Sequence, residues 1–160
     1  MQDFSALLKR LAEAGLDFVI IGGFAAVTHG ASYVTQDIDI CALLTPENVS
    51  RLRQALAEWN PRHRMTPQRL SFLQYPADDQ PVKNLCLQTD KGVIDILSSV
   101  MGVGEFERLK QQAEEIEVDG TRFRVMSLRD LISAKEALGR EKDLLTAREL
   151  RLIAARRNAG

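Results

Sequence analysis

The chain has 160 residues, of which 45% are hydrophobic and 27% charged, and its formal net charge is -1. This length suits about one domain with a real core, and the balanced charge does not favour a nucleic-acid binder, which is more often strongly basic. The longest apolar run, residues 18–27, is about half as long as a membrane span. The first residues have a helical period and no signal-peptide stretch. We therefore expect a cytoplasmic protein without a membrane partner.

The first half of the chain predicts helices that alternate with short strands. Apolar residues recur at helical spacing near the start, and Gly15 ends that pattern. Thr45 and Pro46 are typical of the cap and first position of a later helix. The predicted elements are a helix over 3–14, a strand over 18–21, a helix over 24–29, a strand over 37–44 and a helix over 45–59.

The second half predicts two hairpins and three helices. Residues 60–80 hold three prolines and little periodicity, which predicts a long loop. The basic cluster in this loop (Arg62, His63, Arg64 and Arg69) is interpreted as solvated. The elements that follow are a hairpin over 82–100, a helix over 104–111, a hairpin over 114–126 that turns at Asp119-Gly120, and helices over 127–138 and 141–157.

These elements predict an α+β (mixed α/β) domain with a mixed or antiparallel sheet flanked by helices. We expect one domain over residues 1–160, with a core in residues 1–100 and a C-terminal hairpin and two helices in residues 101–160. The cysteines, Cys41 and Cys86, stand far apart in apolar runs. That placement is typical of small core residues and not of a disulfide framework or zinc site.

Two aspartates lie inside a predicted apolar strand, where Asp37 and Asp39 alternate with Ile38 and Ile40. Because side chains alternate faces along a strand, both carboxylates point one way and both isoleucines point into the core. Adjacent carboxylates repel each other unless a cation lies between them. The pair suits Mg²⁺, which prefers oxygen ligands. The alternative is a solvent-facing pair on an edge strand.

Two further features accompany the pair. Gly22-Gly23 follows the first strand and opens a helix, where a ligand can approach the backbone and N–H groups attract phosphate. The alternative is a plain tight turn. Asp95 also stands between isoleucines, on the face of Val93 and Leu97, so we expect it to be partly buried and to need a partner. Its alternative is a surface position on an amphipathic hairpin.

Together these features resemble the nucleotidyltransferase superfamily, the fold of polymerase-beta-like and minimal nucleotidyltransferases. The resemblance extends over residues 17–97. It rests on a glycine pair, an acidic pair that thirteen residues separate from it, and a third aspartate on a later strand. The last helices further resemble those of small bacterial relatives, including the AbiEii-like toxin group. The matching residues there are Lys135, Arg140, Lys142 and Asp143.

The resemblance implies a two-metal site. Asp37 and Asp39 would bridge two Mg²⁺ ions, one of which activates the attacking hydroxyl while the other holds the triphosphate. Asp95 would complete the shell on the acceptor side and help to remove the hydroxyl proton. These three residues are the predicted catalytic and metal-binding residues.

The resemblance also implies a nucleotide-binding set. The N–H groups of Gly22 and Gly23 would hold the β and γ phosphates, and Lys135 or Arg140 would offset the remaining negative charge. Many members have serine as the second motif residue, and here Gly23 removes that hydroxyl and Phe24 follows. This departure weakens the inference of phosphate binding and leaves the choice of nucleotide open.

The function implied is transfer of a nucleoside monophosphate from an NTP to an acceptor hydroxyl with Mg²⁺. The acceptor stays open between RNA, a protein side chain and a small molecule such as an aminoglycoside, because the motif describes only the donor half of the reaction. A toxin-like role on tRNA or protein also stays open, and the basic C-terminal helix would suit an anionic acceptor.

Two other functions compete with the enzyme. One is a non-catalytic nucleotide-binding module of the same fold, which acts in a toxin-antitoxin pair or a homodimer. The other is a structural α+β domain whose aspartates are coincidental. The presence of all three aspartates favours the enzyme, since loss of metal ligands is how non-catalytic members usually reveal themselves.

Overall fold

The computed structural model describes residues 2–32 and 34–159, which form six α-helices, a 3₁₀ turn (Ala57–Trp59) and nine strands. The helices are α1 (Phe4–Glu13), α2 (Gly22–Thr28), α3 (Pro46–Leu56), α4 (Phe106–Gln112), α5 (Leu128–Leu138) and α6 (Glu141–Ala159). The strands are β1 (Val19–Ile21), β2 (Asp37–Cys41), β3 (Arg62–His63), β4 (Asn84–Thr89), β5 (Gly92–Leu97), β6 (Ser99–Val100), β7 (Gly104–Glu105), β8 (Glu114–Val118) and β9 (Thr121–Val125).

Seven of the strands form one mixed sheet in the order β3-β4-β5-β2-β1-β9-β8, and β6 pairs with β7 in a separate hairpin. The pairs β2–β5 and β1–β9 are parallel, and the other pairs in the sheet are antiparallel. The mixed sheet flanked by helices confirms the predicted fold class. Because β9 lies beside β1, the C-terminal hairpin extends the sheet that the first hundred residues build.

The two faces of the central strands differ in chemistry. Ile38 and Ile40 of β2 are fully buried, as are Ile94 and Ile96 of β5. Gly92 shares this face, and a Cβ built there would lie 3.2 Å from the ring of Phe4 in α1. Helix α1 therefore covers the isoleucine face, while the opposite face carries the aspartates that alternate with the isoleucines.

The predicted helix starts are confirmed at three caps. Asp3 accepts a hydrogen bond from Ala6 N at 3.0 Å, and Thr45 accepts one from Asn48 N at 3.2 Å. Ser127 accepts from the backbone N of the third residue after it at 3.1 Å. Such caps satisfy N–H groups that the helix itself leaves unpaired.

The prediction of a loop over residues 60–80 is wrong in one respect that bears on the candidate site. Within it, Arg62 and His63 form β3, which pairs antiparallel with Gln88 and Leu87 of β4. The local pattern gave no sign of this strand because its stabilisation comes from a partner more than twenty residues away in the chain. The strand predicted over 37–44 is also shorter, since β2 ends at Cys41.

Candidate active site

The sheet brings the three predicted aspartates together. Asp39 of β2 lies directly opposite Asp95 of β5 in a parallel pair, and Asp37 lies two residues earlier on the same face. Each residue offers a carboxylate oxygen, and these oxygens lie within 4.8 Å of one another. All three side chains are half-buried, so the three form one acidic cluster that solvent still reaches.

The acidic cluster makes ionisation of its central member difficult. Burial is the main cause that raises the pKa of Asp39 to about 7, and the carboxylates of Asp37 and Asp95 raise it further. The nearby cations Lys135 and Arg64 act in the opposite direction. Negative charge is therefore in excess at this point of the sheet, and a bound cation would relieve it.

The donor set of the cluster fits a hard divalent cation. Three carboxylates that converge within one ion's reach offer the oxygen ligands that Mg²⁺ takes. Among the residues that the structure describes, no soft sulfur or imidazole ligand belongs to the group. Mg²⁺ commonly binds through one or two carboxylates and takes the rest of its shell from water and substrate phosphates. The residues present therefore fit the metal that the resemblance implies.

Arg64 is a site residue that the sequence did not identify. Its Nε donates to Asp95 Oδ1 at 3.1 Å, and its Nη2 pairs with Asp95 Oδ2. The side chains of Arg64 and Asp95 are 27% and 13% exposed, so the pair is largely shielded from solvent. The partner predicted for Asp95 is thus the guanidinium of Arg64, and the prediction that the basic cluster is solvated is wrong for this arginine.

Four residues form a row across four neighbouring segments of the sheet. Asp39 is paired with Asp95, Asp95 with Cys86 of β4, and the backbone N of Arg64 donates to Cys86 O at 3.1 Å. Arg64 follows directly after β3, so the pairing of β3 with β4 places its side chain at the end of this row. Only the basic cluster at residues 62–69 could have signalled its role, and composition alone does not show which member reaches the site.

Gly22 lies against the carboxylate of Asp39. Its φ is +68°, and a Cβ built on it would lie 3.0 Å from both Cβ and Cγ of Asp39 and closer still to Oδ2. Any larger residue would push Asp39 out of place. The glycine is therefore required by the close approach of the Asp39 side chain, a reason that differs from the predicted approach of a ligand.

A cleft of about 630 Å³ opens beside Asp37 and Asp39, which we call the donor cleft. Its volume lies within the range of small-molecule sites. The described residues that line it are Gly23, Ser32, Val34, Thr35, Gln36, Asp37, Asp39, Lys135, Arg140, Lys142, Asp143, Leu145, Thr146 and Glu149. The structure thus brings Gly23, Lys135 and Arg140 to one space, while Gly22 supports Asp39 behind it.

Lys135 and Arg140 meet at a single buried carboxylate. Arg140 Nε donates to Asp143 Oδ2 at 2.6 Å, and Lys135 Nζ lies 3.7 Å from Asp143 Oδ1. The hydrogen bond from Arg140 is the main cause that holds the pKa of Asp143 below its usual value. Asp143 is 2% exposed and Arg140 is 58% exposed. Asp143 therefore fixes both cations at the cleft, and Lys135 is the one that also lies close enough to lower the pKa of Asp39.

Comparison with solved structures identifies the fold. A Thermotoga maritima protein provisionally assigned as a nucleotidyltransferase aligns over 91% of this chain and 88% of its own, at 19% identity and a TM-score of 0.57. The lincosamide antibiotic adenylyltransferase LnuA, solved with lincomycin bound, aligns over 91% and 92% at 15% identity and a TM-score of 0.59. The enzyme ANT(2'')-Ia, solved with adenylyl-2''-tobramycin, aligns over 92% and 94% at 15% identity and a TM-score of 0.52.

These similarities show that the chain has the nucleotidyltransferase fold, as the resemblance implied. No family model and no curated protein sequence matches the chain. Among residues 2–32 and 34–159, no helix is both long and apolar enough to cross a membrane.

Proposed function

We propose that the chain is a magnesium-dependent nucleotidyltransferase that moves a nucleoside monophosphate from an NTP to an acceptor hydroxyl. The observation that carries this proposal is the convergence of Asp37, Asp39 and Asp95 within 4.8 Å, beside a cleft that Lys135 lines. Three carboxylates this close repel one another even with Arg64 bound to Asp95, which is an unfavourable arrangement for a fold to keep. The same arrangement is suited to a metal that binds substrate phosphates.

Each residue of the acidic cluster and the donor cleft has its own proposed role. Asp37 and Asp39 would hold two Mg²⁺ ions and Asp95 one of them, and the metal would supply positive charge for activation of the hydroxyl and for the leaving pyrophosphate. Lys135 would bind the phosphates from the side of the donor cleft. Gly23 has no side chain to obstruct that approach. Asp143 would keep Lys135 directed at the cleft through their 3.7 Å contact.

The similar structures support the same proposal. LnuA was solved with lincomycin and ANT(2'')-Ia with an adenylylated tobramycin, so small antibiotics are what those two proteins bind. By analogy, a small molecule is a candidate acceptor here, beside RNA and protein. A toxin-like role and an antitoxin partner or homo-oligomer belong to the proposal by analogy with small bacterial relatives alone. A cytoplasmic location belongs to it from the sequence expectation given above.

One observation favours the second candidate, a non-catalytic nucleotide-binding or toxin-antitoxin module of the same fold. Arg64 binds both oxygens of Asp95 and so satisfies this carboxylate without any metal. In such a module, Arg64 would permanently replace the cation on the acceptor side.

Titration with Mn²⁺, monitored by electron paramagnetic resonance, distinguishes the two proposed functions. The enzyme predicts bound Mn²⁺ that is displaced by Mg²⁺ and lost in Asp37→Asn, while Asp78→Asn, an exposed aspartate outside the cluster, serves as the matched control. Equal Mn²⁺ binding by wild type and Asp37→Asn, or none by either, would contradict the enzyme and favour the module.

A further inference from the structure

A second cleft of about 710 Å³ lies on the same face of the sheet as the acidic cluster. Its floor is formed by Leu97 and by Asn84, which lies directly opposite Leu97 on β4. Leu97 is two residues beyond Asp95 on β5, which places it about 7 Å farther along the same strand face. The second cleft thus begins on β5 beside Asp95, a member of the acidic cluster.

The walls of the second cleft are firmly packed. One wall is the β6–β7 hairpin, whose Gly102 has a φ of +82° and sits against α5, so that a Cβ built there would lie 3.0 Å from Ser133 O. Arg108 Nε also donates to Val103 O in this hairpin at 2.8 Å. The other wall is α5 itself. Since the hairpin is held directly against the helix, the cleft is largely preformed, as ligand sites usually are.

Helix α5 lies between the two clefts. Its Lys135 lines the donor cleft, while Ala134 and Leu138 line the second cleft. Asp37 lines the donor cleft and Leu97 lines the second cleft. Because Asp37 pairs with Val93, Asp95 lies between the levels of Asp37 and Leu97 along β5. A group in the second cleft would therefore approach the acidic cluster from the side opposite to the donor cleft.

The residues that line the second cleft favour one chemical class of ligand. Its apolar members are Leu97, Val100, Met101, Ala134 and Leu138. Among the described residues that line it, the remaining side chains are those of Asn84, Ser99 and the lone charged residue Glu105. Without lysine or arginine, this surface does not suit a polyanion such as RNA. A lone carboxylate is also a poor match for a molecule with many amines.

We infer that the second cleft binds the acceptor, and that the acceptor is a small hydroxyl-bearing molecule with an apolar body. This inference rests on the proposed function, because it names the substrate of the same site. In the reaction, the acceptor hydroxyl oxygen bonds to the α phosphorus of the NTP and the bond from that phosphorus to the bridging oxygen breaks. Pyrophosphate leaves with the electron pair of that bond, and the hydroxyl proton passes to Asp95.

The test uses two probes of this class and one of the opposite class. Lincomycin and phenyl β-D-glucoside each join a hydroxylated sugar to an apolar group, whereas tobramycin carries several amines. Binding of each to the full chain is measured by isothermal titration and saturation-transfer NMR. The cleft variants are Leu138→Asp and Met101→Asp, at positions that are 44% and 65% exposed. The control is Leu152→Asp, at a 61% exposed leucine of α6 outside the cleft.

The expected result is that lincomycin or phenyl β-D-glucoside binds wild type and Leu152→Asp. Binding should weaken about tenfold or more in Leu138→Asp and in Met101→Asp, because each places a charge against an apolar ligand group. Tobramycin should not displace either probe. Failure of both probes to bind wild type, equal binding by the cleft variants, or displacement by tobramycin would each overturn the inference.

The same samples distinguish this inference from the proposed function. Stabilisation by ATP and Mg²⁺ reports on the donor cleft alone. A chain that responds to ATP and Mg²⁺ but binds neither probe keeps its proposed function and loses this inference. A chain that binds a probe yet responds to no NTP contradicts the proposed function, and with it the assignment of the second cleft to an acceptor.

Discussion

The guanidinium of Arg64 binds both carboxylate oxygens of Asp95, with Nε 3.1 Å from Oδ1 and Nη2 paired with Oδ2. Planar two-point binding of this kind is among the stronger contacts that a carboxylate makes in proteins. It places a fixed positive charge at one end of the acidic cluster, where a metal ion would also be bound. Arg64 therefore acts as an internal counter-ion of the cluster, and it would compete with a bound metal for Asp95.

Replacement of Arg64 by glutamine tests this competition. Arg64→Gln should lower the metal-free stability by about 1–3 kcal/mol, because Asp95 loses its partner beside two other carboxylates. The same change should raise Mg²⁺ affinity and enlarge the rise in Tm that Mg²⁺ produces. Arg62→Gln changes an exposed arginine two residues earlier and should alter neither quantity. Weaker Mg²⁺ binding in Arg64→Gln would show that Arg64 positions Asp95 for the metal and does not compete with it.

The raised pKa of Asp39 predicts how stability depends on pH. Since its pKa rises from 3.8 to about 7 on folding, the folded chain holds this proton where the unfolded chain has lost it. The free energy of unfolding that the Asp39 proton contributes is fully present below pH 3.8. It decreases as pH rises and levels off above pH 7. Metal-free Asp39→Asn should therefore be more stable than wild type at pH 8, by about 1–2 kcal/mol after solvent screening.

Denaturant unfolding at pH 5 and pH 8 in a chelating buffer measures this difference. The advantage of Asp39→Asn should shrink at pH 5, where most of the wild-type Asp39 is already protonated. Addition of Mg²⁺ should stabilise wild type and leave Asp39→Asn nearly unchanged. A variant that is less stable than wild type at both pH values would mean that Asp39 is a structural hydrogen-bonding residue.

A pair of glycine variants separates backbone strain from crowding of the site. Gly22 and Gly120 have φ values of +68° and +82°, but a Cβ on Gly22 would collide with Asp39, whereas one on Gly120 would meet nothing within 4 Å. Gly120→Ala should lower stability by about 1 kcal/mol from the backbone conformation alone. Gly22→Ala should lower it further and also reduce Mn²⁺ binding, as unfolding and titration would show. Equal effects of the two variants would remove the proposed support of Asp39 by Gly22.

Lys135 should bind the nucleotide, since it lines the donor cleft and lies near both Asp39 and Asp143. Lys135→Gln should reduce the affinity for an NTP in the presence of Mg²⁺ by about tenfold, the usual effect of losing one charge-assisted contact. Lys9→Gln, at an exposed position of α1, is the control. Isothermal titration with ATP gives both affinities, and an unchanged value for Lys135→Gln would contradict a role of Lys135 in binding the nucleotide.

The members of the acidic cluster could be predicted from the sequence by two routes. Alternation along a strand placed Asp37 and Asp39 on one face, the isoleucines beside Asp95 indicated a later strand, and the family resemblance implied that this strand lies beside the first. The role of Arg64 could not be predicted from the sequence, because its position depends on pairing between β3 and β4, whose residues are more than twenty positions apart. The sequence offered ligand approach or a tight turn as reasons for Gly22, and the observed reason, contact with Asp39, depends on the register of β1 and β2.

The most direct test of the central claim is a thermal melt of the purified chain with each NTP, with and without Mg²⁺, repeated on the double variant Asp37→Ala with Asp39→Ala. The account predicts a Mg²⁺-dependent rise in Tm with at least one NTP, because a ligand that binds only the folded state stabilises it. The double variant should lose that rise while remaining folded. No shift with any NTP at millimolar concentration, or the same shift in the double variant, would contradict the claim that the acidic cluster is a metal-dependent nucleotide site.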